Sequence, residues 1–538
     1  MHIDKHKLKF ITLACILAAS IASAAIFWSG PYYQTDDIIY LRSAFGILSH
    51  QYVLQPGYAE LLTIMSIVLS FKIVGFSTFT AVLPMLISFA GIVGVIFLLG
   101  EKLYGYWFGL ISAYLAMSAS FVLPYATRAL PDMTSAFSAS LGIYLFMLAL
   151  EGKKLQRKKL FASGIMMGLS PGFKTSEGLL ILGIFIIAAA SYYAYTGLHR
   201  KRKPNGRSAK ITTRILRTPI LYIIVGAIIP LAFISAYFNF STGNPFFNII
   251  SANLLLAKNS GGGGQSTLSQ NIASLDLTFN PLYYYMHPNL NLAYYAQQQQ
   301  PLGLLVLLAI AGAALGIVKR NKEIIFLSII GMFCLFYLII GSQSYKIYTF
   351  IQFLPRFFTI IILPLSIAGA YPLMLLFNYL KAHKHSRAAM LAVVSIIVMS
   401  TAFNIPVYTE MFYFSRSTAN IGQVFSAAIN SAASAASPSI IYVAVPDANY
   451  IITYLELLTH NSNSIVLEPV QTSTCNPDGK NEFLVEVNGN IQDASTLQNY
   501  INGWIDNCTI TEISSNITRW AQASGNITLY SQVYKISR

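Results

Sequence analysis

Charged residues are scarce in this sequence. Only 10% of its 538 residues are charged and only 20 are acidic, whereas 55% are hydrophobic. Soluble globular proteins carry about 25% charged residues, so this composition excludes a soluble globular chain. The apolar residues occur in uninterrupted runs close to the ~20 residues that cross a bilayer. The sequence therefore predicts a polytopic α-helical membrane protein.

Several motifs are also absent. The sequence contains no P-loop, dinucleotide-binding or zinc-ligand spacing and no internal repeat. The net charge of +15 would suit nucleic acid, but the basic residues form short clusters between apolar runs, which is the pattern of cytoplasmic loops. Nucleic acid is therefore not an expected partner. Of the four cysteines, Cys475 and Cys508 lie in the polar C-terminal region and are predicted to form a disulfide.

Eleven apolar runs are predicted to span the membrane. They are residues 8–28, 79–100, 106–123, 133–150, 160–173, 178–195, 218–238, 301–318, 324–341, 357–379 and 388–405. The first run contains Ala22-Ser23-Ala24, which could be a signal-peptidase site. We interpret the run as an uncleaved span, because it is as long as a span and continues through Ile26-Phe27-Trp28. Pro171 and Gly172 are expected to end the fifth run early.

A further apolar run, residues 57–74, is predicted to be an amphipathic interfacial helix that does not cross. With this choice, 23 of the 35 basic residues but only 4 of the 20 acidic residues lie on the side of the N-terminus. Basic residues favour the cytoplasm, so the N-terminus is predicted to be cytoplasmic and the C-terminal region extracytoplasmic.

The chain is predicted to consist of a transmembrane domain, residues 1–405, and a small extracytoplasmic α/β domain, residues 406–538. In the second domain, strands are predicted at 440–445, 465–469, 483–487 and 527–536, and helices at 448–458 and 495–505. The long outer loop 239–300 contains four glycines at 261–264 and is predicted to be a lid or a binding loop. Its tyrosines are equally explained as an interfacial aromatic belt.

Ionisable residues gather at the outer ends of the spans. They are Asp36, Asp37, Arg128, Asp132, Lys174 and Arg356, with Lys258 in the long loop. Basic and acidic groups at one membrane face indicate an anionic ligand bound beside a carboxylate. Simpler explanations are a solvated Asp36-Asp37 pair, a structural Arg128–Asp132 salt bridge, and lysine and arginine side chains that extend toward lipid headgroups.

The order of these motifs resembles that of a known enzyme superfamily. The matching segments are Asp36-Asp37-Ile38-Ile39-Tyr40, Gln55-Pro56-Gly57-Tyr58, Arg128 to Asp132, Gly168 to Lys174, and Pro355-Arg356-Phe357-Phe358. Together they resemble the C-type membrane glycosyltransferases, in particular the prokaryotic protein O-mannosyltransferase and aminoarabinose-transferase branch. Two departures are Gln55, where a basic residue is common, and Asp37, where Glu is common. The Trp-Trp-Asp motif of oligosaccharyltransferases is absent.

The resemblance implies transfer of a sugar from a polyprenyl (dolichyl) phosphate to a hydroxyl group of a protein, lipid or glycan, with inversion. It implies that Asp36 or Asp37 is the base, with Asp132 as an acidic partner. It also implies that the substrate is bound by Arg128, Lys174, Lys258, Arg356 and Tyr58. The chemistry suits these residue types, because the acceptor needs a base and the departing phosphate needs cations.

Two other classes of protein remain possible from the sequence. A transporter or lipid flippase would also have many spans, but its ionisable residues tend to lie near the bilayer midplane, whereas here they lie at the outer ends. A membrane-anchored interaction protein would explain the C-terminal region but not eleven spans. A divalent cation, magnesium or manganese, is a possible cofactor, for which His50 and His287 are candidate outer ligands.

Overall fold

The computed structural model describes residues 5–28, 36–50, 59–150, 156–200, 209–250, 303–340 and 355–383, parts of 385–408, and five strands between residues 439 and 537. The membrane part is helical. Its helices include α1 (Lys5–Ile26), α2 (Asp36–Leu48), α3 (Leu61–Val74), α4 (Thr78–Tyr104), α5 (Tyr106–Met117), α6 (Asp132–Leu150), α7 (Arg157–Phe173), α8 (Thr175–Arg200), α9 (Ala209–Thr242), α10 (Gly303–Val318), α11 (Lys322–Ile340) and α12 (Ile362–Ala382).

Among the described residues, 6 helices are long and apolar enough to cross a membrane. Their outward faces remain apolar: Ile87, Ile187 and Phe233 are each more than half exposed. Large apolar side chains on the outer surface indicate an apolar surrounding, which confirms a multi-pass membrane protein. The total of eleven spans stays a prediction.

The segment predicted to be an amphipathic interfacial helix contains α3, but this helix is not amphipathic. Ile64, Ile67 and Phe71 on one side are buried against the bundle, while Leu69 and Ile73 on the other side are exposed. Both sides are therefore apolar, and the amphipathic part of the prediction is wrong. At 1.5 Å per residue, α3 is about 21 Å long, shorter than the ~30 Å hydrocarbon core.

Two predicted spans differ in shape from the observed helices. The run 106–123 is helical only to Met117, and a 3-10 helix follows at Leu123–Thr127 with Pro124 in its first turn. Residues 357–379 likewise begin with a 3-10 helix, Pro355–Ile361, before α12. Pro171 does not end α7 early, because it lies in the last turn and the helix continues to Phe173.

Helices α6 and α7 are held together by serine hydroxyl groups. Ser135 Oγ lies 2.8 Å from Ser170 Oγ, and Ser163 Oγ donates to the carbonyl of Gly142 at 2.7 Å. Because these contacts pair the beginning of α6 with the end of α7, the two helices run antiparallel. Asp132, which begins α6, therefore lies beside Lys174, which follows α7.

The start of α3 joins the same region. Thr63 Oγ1 donates to the carbonyl of Phe173 at 2.9 Å and lies 3.4 Å from Thr134 Oγ1. The beginnings of α3 and α6 and the end of α7 therefore meet at one place.

The C-terminal region contains a five-stranded sheet with the order β2-β1-β3-β5-β4. The strands are β1 (Ser439–Ala444), β2 (Ile465–Pro469), β3 (Asn481–Asn488), β4 (Thr509–Gln522) and β5 (Gly525–Ser537). Strand β1 is parallel to β2 and β3, whereas β5 is antiparallel to β3 and β4. Four strands coincide with predicted ones, and β4 was not predicted. The predicted helices, Cys475 and Cys508 lie outside the described residues, so the α/β class, the disulfide and the two-domain division stay predictions.

Candidate functional site

Asp36 and Asp37 form the first turn of α2. Two carboxylates are favourable at a helix N-terminus, where backbone N–H groups lack partners. Within a helix, neighbouring side chains project about 100° apart, so the two aspartates face different parts of the bundle.

Asp37 is completely buried. Its Oδ1 accepts a hydrogen bond from Arg128 Nη2 at 2.7 Å, and its Oδ2 accepts one from the backbone N–H of Ala129 at 2.9 Å. The guanidinium group of Arg128 also lies over the Tyr125 ring, 5.6 Å from its centroid. Asp37 is therefore not a solvated carboxylate, which was one of the simpler explanations. It is held by two hydrogen-bond donors, Arg128 and Ala129, from the segment that precedes α6.

Asp36 is more accessible. Its Oδ2 accepts a hydrogen bond from Arg356 Nη2 at 2.8 Å, and the two side chains keep 30% and 19% of their surface exposed. Arg356 lies in the 3-10 helix before α12, so this pair joins the beginning of α2 to the segment before α12. An ion pair that keeps this exposure can be approached by a ligand.

Lys174 is buried between two carboxylates. Its Nζ lies 2.6 Å from Asp132 Oδ1 and 3.2 Å from Glu177 Oε1. The chain can turn here because Gly178 packs directly on the backbone of Pro171, where an added Cβ would lie only 2.4 Å from the Pro171 nitrogen. Arg128 and Asp132 thus belong to different ion pairs, so the predicted alternative of a salt bridge between them is wrong. Lys174 also does not extend toward headgroups.

Phe357 connects the two cations of the site. Lys174 Nζ lies 4.2 Å from the centroid of its ring, and the guanidinium carbon of Arg356 lies 5.5 Å from it. Positive charge over an aromatic face is stabilised by the ring quadrupole. Phe357 therefore holds Lys174 and Arg356 together. We give the name phosphate cluster to these two cations and their neighbouring carboxylates; its members are Asp36, Asp132, Lys174, Glu177 and Arg356.

Glu60 is a carboxyl group that the sequence analysis did not select. It directly precedes α3, and the Tyr40 hydroxyl donates a hydrogen bond to it. The residue is partly exposed, but its Oε2 is buried and has no hydrogen-bond partner among the described residues. Burial raises the pKa of Glu60 to about 7, against the lowering effects of Tyr40 and Lys174. The sequence signal that could have identified Glu60 is the one that identified Asp132, namely a charged residue at the start of an apolar run.

Several predicted site residues cannot be compared with this geometry. Tyr58, Lys258 and His287 lie outside the described residues, as do most of the loop 239–300 and its four glycines. His50 is described and follows α2 with a positive φ of 59°. No group of three or more His, Cys, Asp or Glu side chains that could hold a metal ion occurs in the described part of the chain.

The arrangement combines two fixed cations with a carboxylate that keeps some exposure. Such a cluster can bind an anionic group through Lys174 and Arg356 while Asp36 accepts a proton from a neighbouring hydroxyl group.

Comparison with known proteins gives a family match and a fold. The family model described as dolichyl-phosphate-mannose-protein mannosyltransferase matches residues 61–238, which include Arg128, Asp132 and Lys174. No curated protein sequence gives a match.

Two solved structures of ArnT from Cupriavidus metallidurans cover 96% of this chain and 97% of their own. The apo form aligns with a TM-score of 0.51 and the form bound to undecaprenyl phosphate with 0.50, each at 12% identity. The apo oligosaccharyltransferase of Archaeoglobus fulgidus aligns at 0.46 over 91% of this chain and 71% of its own, also at 12% identity, which is too distant to support an argument. The similarity to ArnT shows a shared fold.

Proposed function

We propose that this chain is a glycosyltransferase of the C-type membrane superfamily and that it transfers one sugar from a polyprenyl phosphate to an acceptor hydroxyl group with inversion. The observation that carries this proposal is the phosphate cluster, in which two cations share one aromatic ring beside a partly exposed carboxylate. The undecaprenyl phosphate bound to ArnT supports a polyprenyl-phosphate donor for this chain as well.

The proposed reaction proceeds in one step. The acceptor oxygen attacks the anomeric carbon of the donor, and the bond from that carbon to the phosphate oxygen breaks. The acceptor proton passes to Asp36, and the electron pair of the broken bond stays on the departing polyprenyl phosphate. Lys174 and Arg356 stabilise the added negative charge, an electrostatic contribution that is strong where water is excluded. Asp132 holds Lys174, and Asp37 and Arg128 position α2.

We place this reaction at the outer membrane face. The N-terminus and the segment 199–217 are then cytoplasmic, and residues 406–538 are extracytoplasmic, as the distribution of basic residues indicates. Single cysteines introduced at Ser208 and Ser473 should be labelled by impermeant reagents from opposite sides of the membrane. Labelling of both from the same side would contradict this orientation.

The function is tested by reconstitution. The purified chain in proteoliposomes should release polyprenyl phosphate from radiolabelled polyprenyl-phosphate mannose when an acceptor extract is supplied, and the label should appear in the acceptor. The family model favours mannose as the first sugar to try. Comparing membrane and surface glycans of cells with and without the gene would identify the acceptor. Absence of release with mannose, other hexoses and aminoarabinose would contradict the proposal.

A further inference from the structure

Glu60 lies where the ends of three helices meet. It precedes α3 by one residue, and Thr63 in the first turn of α3 contacts both Phe173 and Thr134. Phe173 is followed by Lys174, and Thr134 lies in the first turn of α6, which Asp132 begins. These contacts bring Glu60 to the phosphate cluster, and its carboxyl group is attracted by Lys174 and repelled by Glu177.

The Glu60 carboxyl differs from the other carboxyls around it because it forms no ion pair with a described residue, although a buried oxygen without a hydrogen-bond partner also occurs on Asp132. Asp36 pairs with Arg356, and Asp132 and Glu177 both pair with Lys174. Glu60 interacts with the Tyr40 hydroxyl, and its buried Oε2 has no hydrogen-bond partner within the described part of the chain. A buried carboxylate oxygen without a partner is costly, and protonation reduces that cost because it removes the charge.

The charges of the region also favour a protonated Glu60. With Glu60 ionised, four carboxylates surround the two cations Lys174 and Arg356 in the described structure. This excess of negative charge would repel a lipid phosphate. A proton on Glu60 reduces the excess and also converts its Oε2 from an acceptor into a possible donor.

We propose that Glu60 carries a proton while the lipid phosphate is bound and that its carboxylic acid donates a hydrogen bond to a phosphate oxygen beside Lys174. This inference rests on the proposed function, since it takes a polyprenyl phosphate as the ligand. The proton stays on Glu60, and no covalent bond changes. Glu60 is thus a substrate-binding residue whose protonation sets the affinity for the donor and for the lipid product.

The groups that face Glu60 set the pH range of this effect. Tyr40 on α2 donates a hydrogen bond to the carboxylate, Lys174 after α7 attracts it, and Glu177 on α8 repels it. Tyr40 itself interacts with Asp36, Asp132 and Arg356. Together with burial these groups place the pKa of Glu60 at about 7. Binding should therefore weaken as the pH rises through about 7, because the protonated form becomes the minor one.

The test is the binding of undecaprenyl phosphate to the purified full-length protein between pH 6 and pH 8.5. The Glu60→Gln variant keeps the shape and a hydrogen-bond donor at every pH. The second ionisation of the phosphate changes both proteins alike, so the ratio of their dissociation constants isolates Glu60. We expect wild type to bind as tightly as Glu60→Gln at pH 6 but about tenfold more weakly at pH 8, because only about a tenth of Glu60 is then protonated.

Two further variants support the measurement. Glu101→Gln changes a carboxylate that pairs with Lys9 elsewhere in the protein, and it should keep the wild-type pH profile. Tyr40→Phe removes the hydrogen bond that lowers the pKa of Glu60, so the loss of binding should move to higher pH. This variant tests the proposal even if Glu60→Gln does not fold.

The outcomes separate this inference from the proposed function. Identical pH profiles for wild type and Glu60→Gln would overturn the role of Glu60 and leave the function intact. A wild type that does not bind polyprenyl phosphate at any pH would overturn both.

Discussion

Asp36 and Asp37 are adjacent carboxylates in the same helical turn, yet their surroundings differ. Asp37 has no exposed surface and is held by Arg128 and by the backbone N–H of Ala129. Asp36 keeps 30% of its side-chain surface exposed and pairs with Arg356, which is also partly exposed. Removing one partner of a buried ion pair leaves an uncompensated charge, whereas a partly exposed pair can open toward a ligand. We therefore propose that Asp37 contributes to stability and that Asp36 is available for chemistry.

The largest expected effect is on catalysis by Asp36. Replacing a general base typically lowers the rate 10²- to 10⁴-fold. We therefore expect Asp36→Asn to lose transfer by about that factor while the unfolding temperature stays close to wild type and the binding of polyprenyl phosphate is not weakened. The rate of label transfer in proteoliposomes measures it. A variant that transfers sugar at the wild-type rate would shift the search for the base to Asp132.

The matched substitution Asp37→Asn should act mainly on stability. Breaking the buried Asp37–Arg128 pair is expected to cost on the order of 3–5 kcal/mol. Thermal unfolding in detergent should therefore begin at a clearly lower temperature than in Asp36→Asn. The transfer rate per folded molecule should fall much less than in Asp36→Asn. Equal unfolding temperatures for the two variants would contradict the proposed division between the aspartates.

Lys174 should contribute to donor affinity. A substitution of Lys174 alone would leave both Asp132 and Glu177 buried without their cation. The double variant Lys174→Met/Asp132→Asn is the appropriate test, because it keeps the net charge and leaves Glu177 with its hydrogen bond from Ser176. A charged hydrogen bond contributes about 1.5–3 kcal/mol, which corresponds to roughly a 10- to 150-fold loss of affinity for polyprenyl phosphate. The control is Lys319→Gln, at an exposed position just after α10, and it should bind normally. Unchanged affinity of the double variant would remove Lys174 from the phosphate cluster.

The smallest effect is expected at the Lys9–Glu101 pair, whose side chains are 40% and 22% exposed. Exposed ion pairs contribute about 0.2–1 kcal/mol and are screened by salt. Lys9→Gln should therefore lower stability slightly at low ionic strength, less so at high ionic strength, and leave transfer unchanged. A loss as large as that of Asp37→Asn would show that exposure does not separate the ion pairs of this protein.

Much of the site could be predicted from the sequence because charged residues are rare in apolar chains. Asp36, Asp37, Arg128, Asp132, Lys174 and Arg356 were all selected at the ends of apolar runs. Their pairing could not be predicted, since the partners are 91, 320 and 42 residues apart and depend on helix packing. This is why the sequence suggested Arg128 with Asp132, whereas the fold pairs each with another residue.

Two features could not be predicted from the sequence: the surroundings of Glu60 and the points at which helices end. Glu60 lies within the segment 57–74 that was predicted to be an interfacial helix, so the burial of its Oε2 was not expected. Hydropathy also could not show that the helix in the run 106–123 ends at Met117, because the residues that follow are equally apolar. Composition determines which residues lie in the membrane, whereas local backbone geometry determines where a helix ends.

The central claim is that Asp36 only removes a proton while Lys174 and Arg356 hold the leaving phosphate. Azide tests it most directly, since this anion attacks the anomeric carbon without a proton to remove. We predict that Asp36→Asn transfers sugar to azide at nearly the wild-type rate for azide, although its transfer to a hydroxyl acceptor falls 10²- to 10⁴-fold. An Asp36→Asn variant that fails equally with azide and with the hydroxyl acceptor would contradict this account.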